Sequence, residues 1–253
     1  MPVRVDRDGH VAVVTLDRPE KRNAMDAPMT AALDAALNAL DDDPAVRSIV
    51  LASSSRVFSA GTDLATGSGG PTGRGGPYGI TRRVRRVPLV AAVEGPALGG
   101  GFEIVLSCDL VVASTTASFG LPEVSRGVVA TCGGLFRGPR ALPVNVATEL
   151  LLTGDPIDSR RALDLGLVNR LTDSGGALDG ALALARRIAT NSPVAVQATL
   201  RSVHTHVAAA DHLGWITTDD ATRAVLGSPD AAEGKRAFLE RRPPIWHDPR
   251  SSA

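Results

Sequence analysis

Short apolar runs recur along the first two thirds of the chain, and helical periodicity takes over beyond Asp158. Residues 3–5 and 11–16 read as two strands joined by a turn at Asp8-Gly9, a hairpin pattern. A polar loop follows at residues 18–23. Asp26 is placed to N-cap a helix over residues 28–40, with Pro28 near its first position and Leu33, Leu37 and Leu40 on one face. Residues 48–52 and 89–93 are continuous apolar stretches of the kind found in strands covered on both faces, and residues 110–113 make a third. Helices are predicted over residues 80–87, ended by Pro88, and over 99–107, opened by glycine. This strand–helix–strand order argues for an α/β fold with parallel pairing. Further helices are predicted over 159–165, 177–189, 193–207, 211–226 and 233–241. A soft boundary at Ser192-Pro193 divides a core of residues 1–192 from a C-terminal helical region, 193–253, whose tail beyond Pro243 reads as irregular. No internal sequence repeat is evident.

One segment breaks the pattern. Residues 66–79 hold seven glycines and two prolines, a composition whose ordering entropy is hard to offset by its own contacts. A mobile loop is expected. Its place after the turn at Thr62 makes it a candidate lid, and a slack connector accounts for it equally well.

Composition narrows the function. Hydrophobic residues are 43% of the chain but aromatic residues only 3%, so a core can form and must be mostly aliphatic. Basic and acidic residues balance at 27 each, which argues against a general nucleic-acid or anionic-membrane surface. No apolar stretch is long enough to span a bilayer, and the N-terminus shows no signal-like apolar segment. The two cysteines, Cys108 and Cys132, are far apart and lack metal-ligand spacing, so free thiols in a cytoplasmic protein are expected.

The chemistry lies in three short stretches. In Ala97-Leu98-Gly99-Gly100-Gly101-Phe102-Glu103, the glycines clear the way for a backbone N–H to approach a ligand oxygen at a helix start, where unpaired N–H groups favour negative charge. The spacing is neither a dinucleotide fingerprint nor a P-loop. In Ala60-Gly61-Thr62-Asp63, the Thr62 N–H can serve as a second donor, while Asp63 reads first as a cap for a following helix. Two N–H groups on one thioester oxygen form an oxyanion hole, in which one donor is worth on the order of 10²–10³ in rate. Glu103 stands in an otherwise apolar helix, three residues after Gly100 and on the same side. Glu123 ends the strand-like stretch Ser118-Phe119-Gly120-Leu121-Pro122-Glu123. Each acid alone would be read as facing solvent. Together with both glycine turns, they read as a proton-handling pair beside an enolate site.

These stretches carry a resemblance to the enoyl-CoA hydratase/isomerase (crotonase) superfamily, running from Val11 to Trp246. Arg18-Pro19-Glu20, Asn23-Ala24-Met25, Val93-Glu94-Gly95-Pro96, Cys108-Asp109, Leu152-Thr153-Gly154 and Glu233-Gly234 extend it. The resemblance implies a spiral of ββα units with a C-terminal helical region that builds homotrimers, commonly paired into hexamers. It puts the oxyanion hole on the N–H groups of Thr62 and Gly100, and the two hydratase glutamates on Glu103 and Glu123. Ala24, Met25, Ala60 and Leu64, with Asp63 among them, fall at substrate-binding positions along the CoA moiety. The implied substrate is an acyl-CoA thioester, with no metal and no cofactor beyond the CoA of the substrate itself. Keeping both glutamates favours hydration or its reverse.

One departure stands out. Where many hydratases carry Pro-Gly-x-Gly-Gly after the second glutamate, this chain has Ala130-Thr131-Cys132-Gly133-Gly134, so a turn near Glu123 is expected to differ in shape. The contexts of Glu103 and Glu123 are also similar to carnitinyl-CoA dehydratase-like members. A Δ3,Δ2-enoyl-CoA isomerase and a non-catalytic or RNA-binding member stay open as further readings; the paired glutamates and zero net charge argue against the latter. His204, His206 and His212 do not have the spacing of a metal site on one helix face, and Arg82, Arg83, Arg85 and Arg86 read as a solvated helix face.

Overall fold

The apolar runs become strands, and both faces of those strands are covered. The computed structural model describes residues 1–247, the side chain of Ala209 excepted. Strands β1 (Val3–Asp8), β2 (Val11–Leu16), β3 (Ser48–Ser53), β4 (Leu89–Val93), β6 (Leu110–Ser114) and β9 (Arg170–Thr172) line up in that order in one sheet. The β1–β2 hairpin is antiparallel, with Val3 opposite Leu16 and Asp8 opposite Val11, and every other pairing is parallel. A second, small sheet runs β5 (Ala97–Leu98), β7 (Ser118–Gly120), β8 (Ile157–Asp158). Its first row is continued by single bridges, Ser59 to Ala97 and Met25 to Thr62. Each turn of the chain thus contributes one strand to the large sheet and one short extended piece to the small one.

Residue alternation sends the two sides of the large sheet to different partners. Val14, Leu16, Ile49, Leu51, Leu89, Ala91 and Val93 face the main core with α1 (Ala27–Asp42). Val13, Val50, Ala52, Val90, Ala92 and Val112 face α6 (Ala177–Ala189). That helix turns Ala181, Ala185 and Ala189 to the sheet, so a stripe of small side chains at four-residue spacing lets it lie close. Asp26 does cap α1, accepting from the Met29 N–H at 2.9 Å, and Met29, Leu33 and Leu37 are fully buried.

Three sequence expectations fail here. Residues 80–87 form no helix. Arg83 and Arg85 turn inward and Val84 outward, the alternation of an extended chain. Arg83 pairs with Asp34, Arg85 donates to Asp109 at 2.6 Å, and the Arg86 guanidinium donates to the Asp41 carbonyl at 2.7 Å. Arg83, Arg85 and Arg86 are therefore structural, while Arg82 stays exposed as expected. Helices 193–207 and 211–226 are one continuous helix, α7 (Pro193–Leu226), started by the Ser192 side chain. Two helices unread in the sequence, α3 (Gly134–Ala141) and α4 (Val144–Thr153), close the core behind α2 (Gly100–Val105). Residues 243–247 are irregular as expected, and the rest of the tail lies outside the described residues.

The remaining helices are α5 (Ser159–Asp164) and α8 (Pro229–Glu240). His204 ties α7 to the body, its Nε2 lying 2.8 Å from Asp109. Burial alone would raise the Asp109 pKa, but Arg85, His204 and the Leu89 N–H outweigh it and hold the carboxyl down at about 2. Among the described residues no helix is long and apolar enough to cross a membrane, and no cluster of three or more His, Cys, Asp or Glu side chains could hold a metal ion.

Candidate active site

The small sheet brings the two glycine turns together. In the Met25–Thr62 bridge, the Met25 N–H donates to the Gly61 carbonyl at 2.8 Å and the Asp63 N–H to the Met25 carbonyl at 2.9 Å. Peptide groups alternate in extended chain, so the Thr62 N–H points the other way, toward α2. Gly61 has φ 84°, and a Cβ there would sit 2.8 Å from the Gly100 nitrogen. Only glycine lets the two turns approach this closely. Gly100 is the first residue of α2, so its N–H has no intrahelical acceptor. Thr62 and Gly100 therefore present neighbouring N–H groups at the wall of a cavity of about 580 Å³.

Both glutamates line that cavity. Glu103, in the first turn of α2, is only 1% exposed. Its Oε1 accepts from the Cys132 N–H at 2.7 Å and the Gly134 N–H at 2.9 Å. Burial pushes its pKa up to about 7; the two N–H groups and the nearby Arg137 guanidinium work against that rise. Glu123 sits in a 3-10 turn, Pro122–Arg126, that follows β7. Its Oε1 lies over Gly99, 3.0 Å from where a Cβ would stand. Its Oε2 is buried and, among the described residues, has no hydrogen-bond partner. Burial first, and then the charge of Glu103, push it up to about 8. The two acids share protons as a pair.

The C-terminal helices complete the enclosure. Thr222, Val225 and Leu226 of α7 and Phe238 of α8 line the cavity opposite the turns. α8 packs on the 3-10 turn that carries Glu123, with Gly234 against the Arg126 carbonyl and the Arg126 guanidinium 5.2 Å from the Phe238 ring centre. Glu233 anchors it by ion pairs to Arg242 and Arg236 and by the Ile245 N–H, which together hold its carboxyl well below the usual range.

Comparison with known proteins matches this arrangement. Residues 6–249 fit the family model described as enoyl-CoA hydratase/isomerase. The chain belongs to that family. It is 38% identical to the enoyl-CoA hydratase EchA19 of Mycobacterium tuberculosis, with 96% of each chain aligned. It is 35% identical to a carnitinyl-CoA dehydratase of Salmonella enteritidis, over 96% of this chain and 97% of that one. Among solved structures, a carnitinyl-CoA dehydratase from Mycobacterium avium 104 superposes with a TM-score of 0.91 at 43% identity, covering 97% of this chain and 98% of that one. The fold is accordingly the α/β crotonase spiral.

In this family member the site residues read from sequence divide into two groups. Ala24, Ala60, Thr62, Asp63, Leu64, Gly100, Glu103 and Glu123 all border the cavity. Met25 does not: its side chain is fully buried in the core, and its backbone serves to orient Thr62. No helix follows Asp63. Its carboxylate accepts from the Ala65 N–H at 3.0 Å, closing a turn, and pairs with Arg18 at 3.0 Å. Burial would raise its pKa, but these contacts lower it on balance. The departing stretch acts on Glu103, whose carboxylate the Cys132 and Gly134 amides hold.

Both cysteines are free, and burial raises their thiol pKa values, that of Cys108 to about 12, as expected for packing residues. The largest omission from the sequence reading is Tyr78, the only tyrosine in the chain. It lies in the glycine-rich segment, which is pinned to α1 by the Thr30 hydroxyl on the Ser68 carbonyl and the Thr72 hydroxyl on Asp34, both at 2.8 Å. Tyr78 adopts φ 54°, ψ 8°, a left-handed conformation costing a bulky residue about 1–3 kcal/mol. A lone aromatic residue amid seven glycines was the available signal.

Proposed function

We propose that the protein is a hydro-lyase that reversibly adds water to a 2-enoyl-CoA thioester. The observation that carries this reading is a carboxylate pair, Glu103 buried and Glu123 half-buried with its Oε2 enclosed, beside two converging backbone N–H groups in one cavity. The thioester carbonyl accepts from the Thr62 and Gly100 N–H groups, which polarise the enoyl system and hold the enolate formed on attack. Water lies between the carboxylates. Glu103 takes its proton as the oxygen bonds to the β-carbon; Glu123 then delivers its proton to the α-carbon. Dehydration runs the same steps backward. The unequal surroundings support these roles, since Glu103 keeps two N–H partners that favour its anion, whereas the Glu123 Oε2 has none and favours the acid. The reaction requires no metal or cofactor, because the N–H groups polarise the thioester carbonyl and so make the β-carbon electrophilic.

A carnitinyl-type substrate is the second reading. It is favoured by the carnitinyl-CoA relatives and by the hydroxyls of Thr62, Tyr78 and Thr222 along the cavity. Mixing the protein with a panel of 2-enoyl-CoA thioesters, crotonyl-CoA included, and following loss of the conjugated absorbance tests the first reading. Rapid loss supports it. No loss of any panel member, with water lost from carnitinyl-CoA, replaces it by the second.

We further infer that the C-terminal region from residue 193, with α7 and α8, is where a homotrimer assembles, singly or as a hexamer. Val194, Val203, Leu213 and Ile216 stand exposed along α7, and light scattering on the purified protein reads the mass directly. We assign it to the cytoplasm, in keeping with its two free thiols.

A further inference from the structure

Tyr78 stands where the oxyanion hole and the general base meet. Its ring is 3% exposed, yet it borders the cavity. Its hydroxyl lies 2.6 Å from the Thr62 Oγ1, on the residue that contributes one N–H of the hole. The same hydroxyl lies against Gly100, which contributes the other: a methyl group on Gly100 would collide with it. On its far side it meets the Cys132 side chain, whose backbone N–H holds Glu103. Gly76, just before the 3-10 turn Pro77–Gly79, and Gly79, its last residue, have positive φ, so the segment is bent to deliver this one side chain.

We propose that the Tyr78 hydroxyl is a third hydrogen-bond donor to the thioester oxygen, making Tyr78 a catalytic residue. The proposal rests on the thioester reading above. Either hydroxyl of the Thr62–Tyr78 pair can donate; with thioester bound, the threonine hydroxyl donates to the phenol oxygen and the phenolic hydrogen turns to the oxygen that Thr62 and Gly100 bind. The donation strengthens as negative charge gathers on that oxygen, so it acts on the enolate more than on the bound substrate. Burial keeps the phenol protonated throughout the working range. No atom is transferred: the hydrogen stays on Tyr78.

The test is Tyr78→Phe, which keeps the ring and removes the hydroxyl. The expected result is a fall in kcat of about tenfold to a hundredfold for crotonyl-CoA, with KM and the melting midpoint unchanged. Acetoacetyl-CoA gives a second readout, independent of turnover: its bound enolate has an ultraviolet band, and the enolate fraction at saturation should drop in the variant. Thr62→Val, which keeps the N–H but frees the phenol, should lower both quantities by less. Wild-type kcat together with a wild-type enolate fraction in Tyr78→Phe overturns the proposal. Loss of the enolate band in Tyr78→Phe, for a wild-type protein that hydrates no thioester, upholds the third donor and overturns the hydratase reading instead.

Discussion

Two glutamates border one cavity, and the chain treats them differently. Glu103 grows from the first turn of a helix inside the core, with two backbone N–H groups on one oxygen and Arg137 nearby. Glu123 hangs from a short 3-10 turn braced by α8, with one oxygen unpartnered. Desolvation raises both, and the second rises further because it faces the charge of the first, which its own backbone N–H and Arg126 offset only in part. The lesson is that one residue type can supply base and acid in a single site, provided the backbone donors are distributed unequally.

The comparison breaks first by neutralising either member. Glu103→Gln and Glu123→Gln should each lower kcat for hydration by about 10²–10⁴, while binding of a CoA thioester, measured by calorimetry, stays near wild type. Turnover near wild type in either variant would remove that carboxylate from the mechanism.

A pH profile sharpens it. The active form carries one proton on the pair, so kcat/KM should fall below about pH 7, where Glu103 also becomes protonated, and above about pH 8, where Glu123 loses its proton. A flat profile from pH 6 to 9 would show that the pair is not titrating in the reaction. Arg137 tunes one limb only. It favours the Glu103 anion, and its guanidinium donates at 2.8 Å to Ser107, whose hydroxyl donates at 2.7 Å to the Glu103 carbonyl. Arg137→Met should move the acid limb to higher pH and leave the alkaline limb in place; equal movement of both would assign Arg137 to the pair as a whole.

The smallest effect is on stability. Both carboxylates have folded-state pKa values raised above the unfolded value of 4.5, so the folded protein binds more protons between about pH 4.5 and 8 and loses stability as pH rises through that window. Glu123→Gln removes the cost of burying that charge. Its melting midpoint should therefore exceed wild type at pH 8 and converge with it near pH 4.5. A variant less stable at pH 8 would mean that the Glu123 anion is stabilised by the fold.

How far the sequence could be read varied with the physical signal. The cap at Asp26, the apolar strands and the Gly99–Gly101 start of α2 were legible because each is a local rule about a few neighbouring residues. The arginine stretch misled for the opposite reason. Arg83 and Arg85 are buried and Val84 is exposed, an inversion that makes sense only when Asp34 and Asp109 arrive from elsewhere. The break predicted in α7 fell on Ala208-Ala209-Ala210, residues that propagate a helix as well as any. Tyr78 went unread because its segment looked too glycine-rich to be held, and the contacts that hold it come from α1.

The sequence by itself determined the long strands β1 to β4 and β6, the helices α1, α2 and α6, the two turns able to aim N–H groups, and the pair of acids, since hydrophobic period, glycine and capping residues act locally. Only the tertiary structure decided that Gly61 and Gly100 touch, that amides of Cys132 and Gly134 close on Glu103 alone, and that Glu123 is left with an empty-handed oxygen. Those facts depend on which distant segments share a cavity, and desolvation, the largest influence on both acids, is a property of that enclosure and of no single residue.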